Sequence, residues 1–342
     1  MGTSTRSADD PRGQTRAQAP THPRAEAEAP AQASTQAETE GPTGSTALAQ
    51  DRPRPLALGR AGRPARPWWK PSARWKNPIG LVGAAIVALT ILVAVAAPLL
   101  APYDPDAQDA DRLLPPSGTH LMGTDELGRD TFSRIVFGAR VSLQVGIVAV
   151  AIALLAGTAL GIAAGFFGGR LDAWLMRGVD ILFAFPGLVL AIVIAGLLGA
   201  SRTNAMIAIG VVYAPAFARV IRGSVLAVMS EPYVDAGRVV GATNGRLVRR
   251  HVLPNIVAPV IVMTSVYLSS AILSEAALSF LGLGTQPPEP SWGGMLNLAR
   301  TYMELAPWMA IFPGLAIMLG VLGFNFLGDG LRDVLDPRLR TS

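Results

Sequence analysis

Residues able to do chemistry are few in this chain and gather at three places. Glu275 is the one carboxylate deep inside a long apolar run, where a charge is costly and marks a functional candidate by default. Asp125, Arg129 and Asp130 fall within Gly123-Thr-Asp-Glu-Leu-Gly-Arg-Asp130, three acids and one arginine among turn-forming residues. That octet suits substrate or partner contact, and equally a capped turn leading into a helix. The third place is a polar interruption, Glu231-Pro-Tyr-Val-Asp-Ala-Gly-Arg-Val-Val-Gly241, continuing to His251-Val-Leu-Pro254. Pro232 suits a first helical turn, and Tyr233, Ala236, Gly237 and Val240 recur at the spacing of one helix face. Gly241 and the Asn244-Gly245 pair supply the permissive backbone of a turn. A short helix with one apolar face is built for docking into a groove.

Several chemistries are excluded outright. With no cysteine, disulfides and thiolate metal sites are impossible, and His22, His120 and His251 are too scattered for a three-histidine centre. Lysine occurs only at 70 and 76, so no Gly-Lys pair exists and a phosphate-binding Walker loop cannot form. The signatures of zinc proteases and serine hydrolases, His-Glu-x-x-His and Gly-x-Ser-x-Gly, are also missing. No cofactor is expected in this chain. An intramembrane enzyme using Glu275 with Asp180 is one rival reading and a proton-coupled carrier another; one deep carboxylate and no visible internal repeat weigh against the carrier.

The elements that must position these residues are membrane helices. Apolar residues make up 50% of the 342 and charged ones 15%, which is unlike a soluble globule. Six stretches reach the ~20 residues a helix needs to cross a hydrocarbon core. They are 79–101, 141–169, 181–200, 203–229, 256–283 and 305–327. Placing both termini in the cytoplasm and alternating sides puts 23 of the 29 Lys and Arg inside, which orients the chain and accounts for its basic pI without nucleic acid. Residues 1–66 contain no aromatic, Ile or Val and are predicted to be a disordered cytoplasmic tail, either a dispensable extension or a contact for anionic lipid or a partner. Trp68-Trp69-Lys70 and Arg74-Trp75-Lys76 read as an interfacial anchor over 67–78. Gly157, Gly161 and Gly165 lie on one helix face and suit close packing, Pro186, Pro215, Pro259 and Pro313 interrupt other spans, and Asp180 stands within reach of Arg177.

The interruption at 231–254 also resembles the cytoplasmic loop of binding-protein-dependent ABC importer permeases. That pattern runs Glu-Ala-Ala, three residues, Gly, nine residues, Ile, one residue, Leu-Pro. Here Asp235 replaces Glu, Gly237 replaces the second Ala, and His251 stands at the Ile position before Leu253-Pro254. Three further stretches are similar to the C-type permease subunits of dipeptide, oligopeptide and nickel importers. They are Gly123–Asp130 with Gly138-Ala-Arg140-Val-Ser-Leu143, Glu275–Gly284 with Ser291-Trp292-Gly293, and Asn325–Arg338. The resemblance covers roughly residues 75–340 and implies an all-α membrane protein of six transmembrane helices with the type I ABC importer permease fold. It implies an outer loop and elbow over 102–140, a core permease domain over 141–331 with a coupling loop at 230–255, and a cytoplasmic tail from 332. Tyr233, Asp235, Ala236, Gly237, Gly241, Leu253 and Pro254 would couple to an ATPase. Glu275 would line the path, meet a peptide amino terminus, or make a structural hydrogen bond. Asp125, Arg129 and Asp130 would meet a binding protein or hold the outer loop together. The implied partners are a second homologous permease, two ATPase subunits that bind ATP and Mg, an extracytoplasmic substrate-binding protein, and membrane lipid. The implied cargo is a dipeptide or oligopeptide, with nickel as the alternative, in the plasma membrane of a prokaryote.

Overall fold

The computed structural model describes residues 78–335, and every one of its regular elements is a helix. The predicted tail at 1–66, most of the anchor at 67–78 and residues 336–342 lie outside the described residues. In order, the helices are α1 (Pro78–Val95), α2 (Ala97–Leu100), α3 (Thr131–Phe167), α4 (Gly169–Phe183), α5 (Gly187–Leu198) and α6 (Arg202–Met229). There follow α7 (Pro232–Val239), α8 (Asn244–Leu247), α9 (Leu253–Phe280), α10 (Trp292–Ala299) and α11 (Trp308–Leu335). A five-residue π-helical turn, Val248–Val252, joins α8 to α9 into one continuous helical segment. Among the described residues, five segments are long and apolar enough to cross a membrane, and the pair α4–α5 makes a sixth span if its two bent halves count as one.

That pair shows how far Pro186 interrupts the span expected over 181–200. α4 and α5 meet at 91° across the break at Ala184–Pro186. Pro186 offers no backbone N–H and disfavours helical geometry in the residue before it, so the chain turns there. The 12 residues of α5 reach only ~18 Å, well short of a ~30 Å core. Pro215, Pro259 and Pro313, by contrast, sit inside α6, α9 and α11 without ending them. Two boundaries also move. α3 begins at Thr131, so the elbow expected before the second span is continuous with that helix over 131–140, and α11 runs through Leu335, past the expected end of the core at 331.

The glycine stripe does what close packing in lipid requires. A Cβ on Gly161 would stand 2.7 Å from the Ala218 carbonyl oxygen, and one on Gly165 would stand 2.8 Å from Val225 Cβ. Only glycine lets α3 and α6 approach so closely, and dispersion over that contact replaces the hydrophobic drive that lipid does not supply. Phe217, Ile221 and Val225 of α6 then form one core with Val145 and Val150 of α3, extended by Val234 of α7 and Ile256 of α9. A second core joins α1, α3, α9, α10 and α11 through Val87, Leu143, Ile272, Trp292 and Phe324. α1 crosses α11 so closely that a Cβ on Gly80 would reach within 2.8 Å of Gly330 Cα.

Candidate functional site

α7 is a short helix held by its ends and by one side chain. Pro232 opens it at the first turn, where the missing N–H costs nothing. Its far end closes in a Schellman arrangement. The Ala242 amide donates to the Gly237 carbonyl at 3.0 Å and the Gly241 amide donates to the Arg238 carbonyl at 3.0 Å. This geometry puts Gly241 at φ +81°, a left-handed conformation that glycine adopts without a Cβ penalty. Val234, fully buried, pins the helix to the core formed by α3, α6 and α9.

The opposite face is open. Val239 and Val240 are 87% and 83% exposed, and Tyr233 and Ala236 are exposed beside them. The expected apolar stripe of Tyr233, Ala236, Gly237 and Val240 is therefore split. Gly237 turns inward, where a Cβ would stand 3.1 Å from Leu247 Cδ2, and Val239 joins the outer face in its place. Asp235 is exposed and pairs with Arg238 at 3.1 Å. The His251 and Tyr233 rings lie 5.5 Å apart, and Leu253-Pro254 starts α9 immediately beyond the π turn. Arg246, Arg249 and Arg250 are exposed on the same stretch and form no ion pair among the described residues. An exposed apolar strip framed by arginines on a short, bundle-anchored helix has the make-up that helix-in-groove docking requires.

Glu275 has a different setting. It is fully buried, its Oε1 accepting from Ser279 Oγ at 2.7 Å and its Oε2 from Ser142 Oγ at 3.1 Å. The Ser142 contact ties α9 to α3. Of the roles expected for Glu275, this geometry provides the structural hydrogen bonds; the carboxylate is enclosed within the subunit and presents no surface to a path.

The outer octet is likewise turned inward. Asp125, Arg129 and Asp130 are all at least nine-tenths buried. Arg129 Nε donates to Asp125 Oδ2 at 2.6 Å and its Nη2 to Glu126 Oε1 at 3.0 Å. Asp130 caps α3 by accepting from the Ser133 amide at 2.8 Å, and its other oxygen lies 3.0 Å from His120 Nδ1. Arg134 clamps the preceding loop through the Pro105 carbonyl at 2.7 Å and Asp106 at 3.2 Å. Burial pushes the Glu126 carboxyl above its ordinary value, and neighbouring Asp125 adds to the rise. Its Oε2 has no hydrogen-bond partner among the described residues. These residues brace a knob and expose no charged surface of their own.

Sequence reasoning missed several partners. Asp180 pairs with Arg219 of α6 at 2.8 Å rather than with Arg177. Asp172 of α4 takes a bidentate pair from Arg222, fixing α4 against α6. Ser279 was legible as the neighbour four residues after Glu275, but Ser142 lies 133 residues away in sequence and carried no local signal.

Residues 157–341 match the family described as binding-protein-dependent transport system inner membrane component. The chain belongs to this family. Residues 75–116 also match the N-terminal transmembrane domain of oligopeptide transport permease C, which accounts for α1 and the loop after it. Among relatives, the dipeptide transport system permease protein DppC of Alkalihalophilus pseudofirmus is 48% identical over 78% of this chain and 88% of its own length. The glutathione transport system permease protein GsiD of Pectobacterium atrosepticum is 45% identical over 81% of this chain and 92% of its own. The di/tripeptide transport system permease protein DppC of Pseudomonas aeruginosa is 46% identical over 82% and 94%. This permease is thus a multi-pass inner-membrane component of an ABC importer that works with ATPase and substrate-binding partners, and it is not itself the catalyst.

Proposed function

We propose that this permease imports dipeptides or short oligopeptides and forms one half of their path, the other half coming from a second, homologous permease. Two ATPase subunits bind ATP and Mg below it, and an extracytoplasmic binding protein delivers the peptide. Both termini are cytoplasmic, as the basic inner loops favour. The observation that carries the reading is the construction of α7. Its outer face of Tyr233, Ala236, Val239 and Val240 is free to seat in an ATPase groove, while Val234 on its inner face is buried in the core shared by α3, α6 and α9. Closure of the ATPases on ATP displaces α7, and the buried valine passes that displacement to the spans. Such a connection biases a two-state bundle between inward-open and outward-open arrangements. A peptide cargo rests on the relatives' names, of which dipeptide, di/tripeptide and glutathione all denote short peptides.

Proteoliposomes holding the complete assembly test this reading. Labelled dipeptide should accumulate only with ATP and the loaded binding protein present, and unlabelled glutathione as competitor should rank the cargoes. The purified permease alone should hydrolyse no ATP. ATP-independent uptake, or hydrolysis by the isolated chain, would refute the proposal.

A further inference from the structure

A crevice of about 430 Å³ between α1 and α3 lies apart from both α7 and the outer knob. Ile91 and Val95 of α1 face Leu143 and Ile147 of α3 across it, and its polar lining residues are Arg140 and Gln144. Arg140, Gln144 and Ile147 follow one another on a single face of α3, so the crevice is polar at one end and apolar along the rest. Arg140 is exposed and makes no ion pair among the described residues, whereas Arg129 and Arg134 on the same side are both committed to carboxylates. Its depth is telling as well. The uncharged stretch of α3 begins at the next residue, Val141, so the guanidinium stands at the boundary between headgroups and hydrocarbon.

We infer that this crevice binds an anionic phospholipid, in the leaflet on the side of the 101–130 loop, with its phosphate on Arg140 and an acyl chain between α1 and α3. A guanidinium pairs with a phosphate through two parallel hydrogen bonds, and the Gln144 amide can reach an ester carbonyl below it. The preference for an anionic lipid follows from the lining, which contains no carboxylate to receive the ammonium of a zwitterionic headgroup. The same lack argues against a peptide, whose amino terminus would be left without a partner. Lipid there would fill the gap between α1 and the rest of the bundle, so the site links the first span to the core.

The full-length chain, purified in neutral detergent, is titrated with dioleoyl phosphatidylglycerol and with dioleoyl phosphatidylcholine, and bound lipids are counted by native mass spectrometry. Phosphatidylglycerol should bind more tightly. Arg140→Gln should weaken it by about five-fold, the equivalent of the ~1 kcal/mol that one basic residue contributes near an anionic surface, and leave phosphatidylcholine unchanged. Ile147→Trp, which fills the crevice from an exposed position, should reduce retention of both lipids. An unchanged lipid preference in Arg140→Gln, or undiminished retention of both lipids in Ile147→Trp, would overturn the site.

Discussion

Gly241 offers the sharpest test of how α7 is built. Its φ of +81° is left-handed, yet a Cβ there would meet nothing within 4 Å. Any penalty on substitution is therefore conformational and not a clash. A left-handed backbone costs an L-residue roughly 1–2 kcal/mol, less for Asn, whose side chain tolerates it, and more for a β-branched residue. At ~1.4 kcal/mol per tenfold, Gly241→Ala should shift the closed helix end by about five- to thirty-fold toward the frayed state. Gly241→Val should exceed that and Gly241→Asn should fall below it. The Ala242 amide, bonded to Gly237, reports the closure directly, because its hydrogen exchange accelerates by the same factor. Membrane insertion should be normal in all three, since the residue lies between helices, and peptide uptake should fall in the order Asn, Ala, Val. Equal exchange in the three variants, or an effect that follows side-chain volume instead of backbone preference, would refute the conformational account.

Other expectations follow from the buried polar groups. Glu275→Gln keeps one acceptor oxygen for one serine and offers an N–H to the hydroxyl oxygen of the other, so it should leave thermal stability close to wild type, while Glu275→Leu leaves both hydroxyl donors without that acceptor at ~1–3 kcal/mol each and should lower the melting temperature in detergent. Asp130→Ala removes the cap of α3 and its contact to His120, a loss of ~0.5–2 kcal/mol seen as earlier proteolysis of the outer knob. Glu126 has a raised folded pKa, so the knob should gain stability as the pH falls from that value toward the ordinary 4.5 and lose it as the pH rises; Glu126→Gln should flatten this dependence and melt higher than wild type at neutral pH. Gly161→Val forces a side chain against the Ala218 carbonyl and should prevent α3 and α6 from closing, read as loss of folded protein on size exclusion.

Membrane spans were legible because a run of apolar residues is a one-dimensional signal. Arg202–Met229 and Leu253–Phe280 fall within a few residues of the expected 203–229 and 256–283. The bend at Pro186 was visible as a proline but not as a 91° turn, because whether neighbours re-satisfy the freed backbone is decided by packing. The same holds for α7. Its limits followed from Pro232 and Gly241, but which of two apolar faces points inward depends on where the bundle lies, so Gly237 was placed on the outer stripe that Val239 occupies, and Val234 was not read as the inward anchor. The outer octet shows the opposite case. Asp, Gly and Arg read as ordinary turn chemistry or as a contact surface, and only the pairing of Arg129 with Asp125 and the cap on Ser133 reveal a brace. Long-range polar partners such as Ser142 with Glu275 or Arg222 with Asp172 leave no trace in local pattern.

The chain contains no cysteine, so a single introduced thiol is unique, and this gives direct access to the proposed coupling surface. Cysteine placed at Val239 or Val240, 87% and 83% exposed, should form a cross-link with the ATPase subunit in membranes holding the whole assembly, and its yield should change on ATP addition. Cysteine at the fully buried Val234 should give none. Adducts at 239 and 240 that respond to ATP are the result the account predicts; their absence from an assembly that still transports peptide would contradict it.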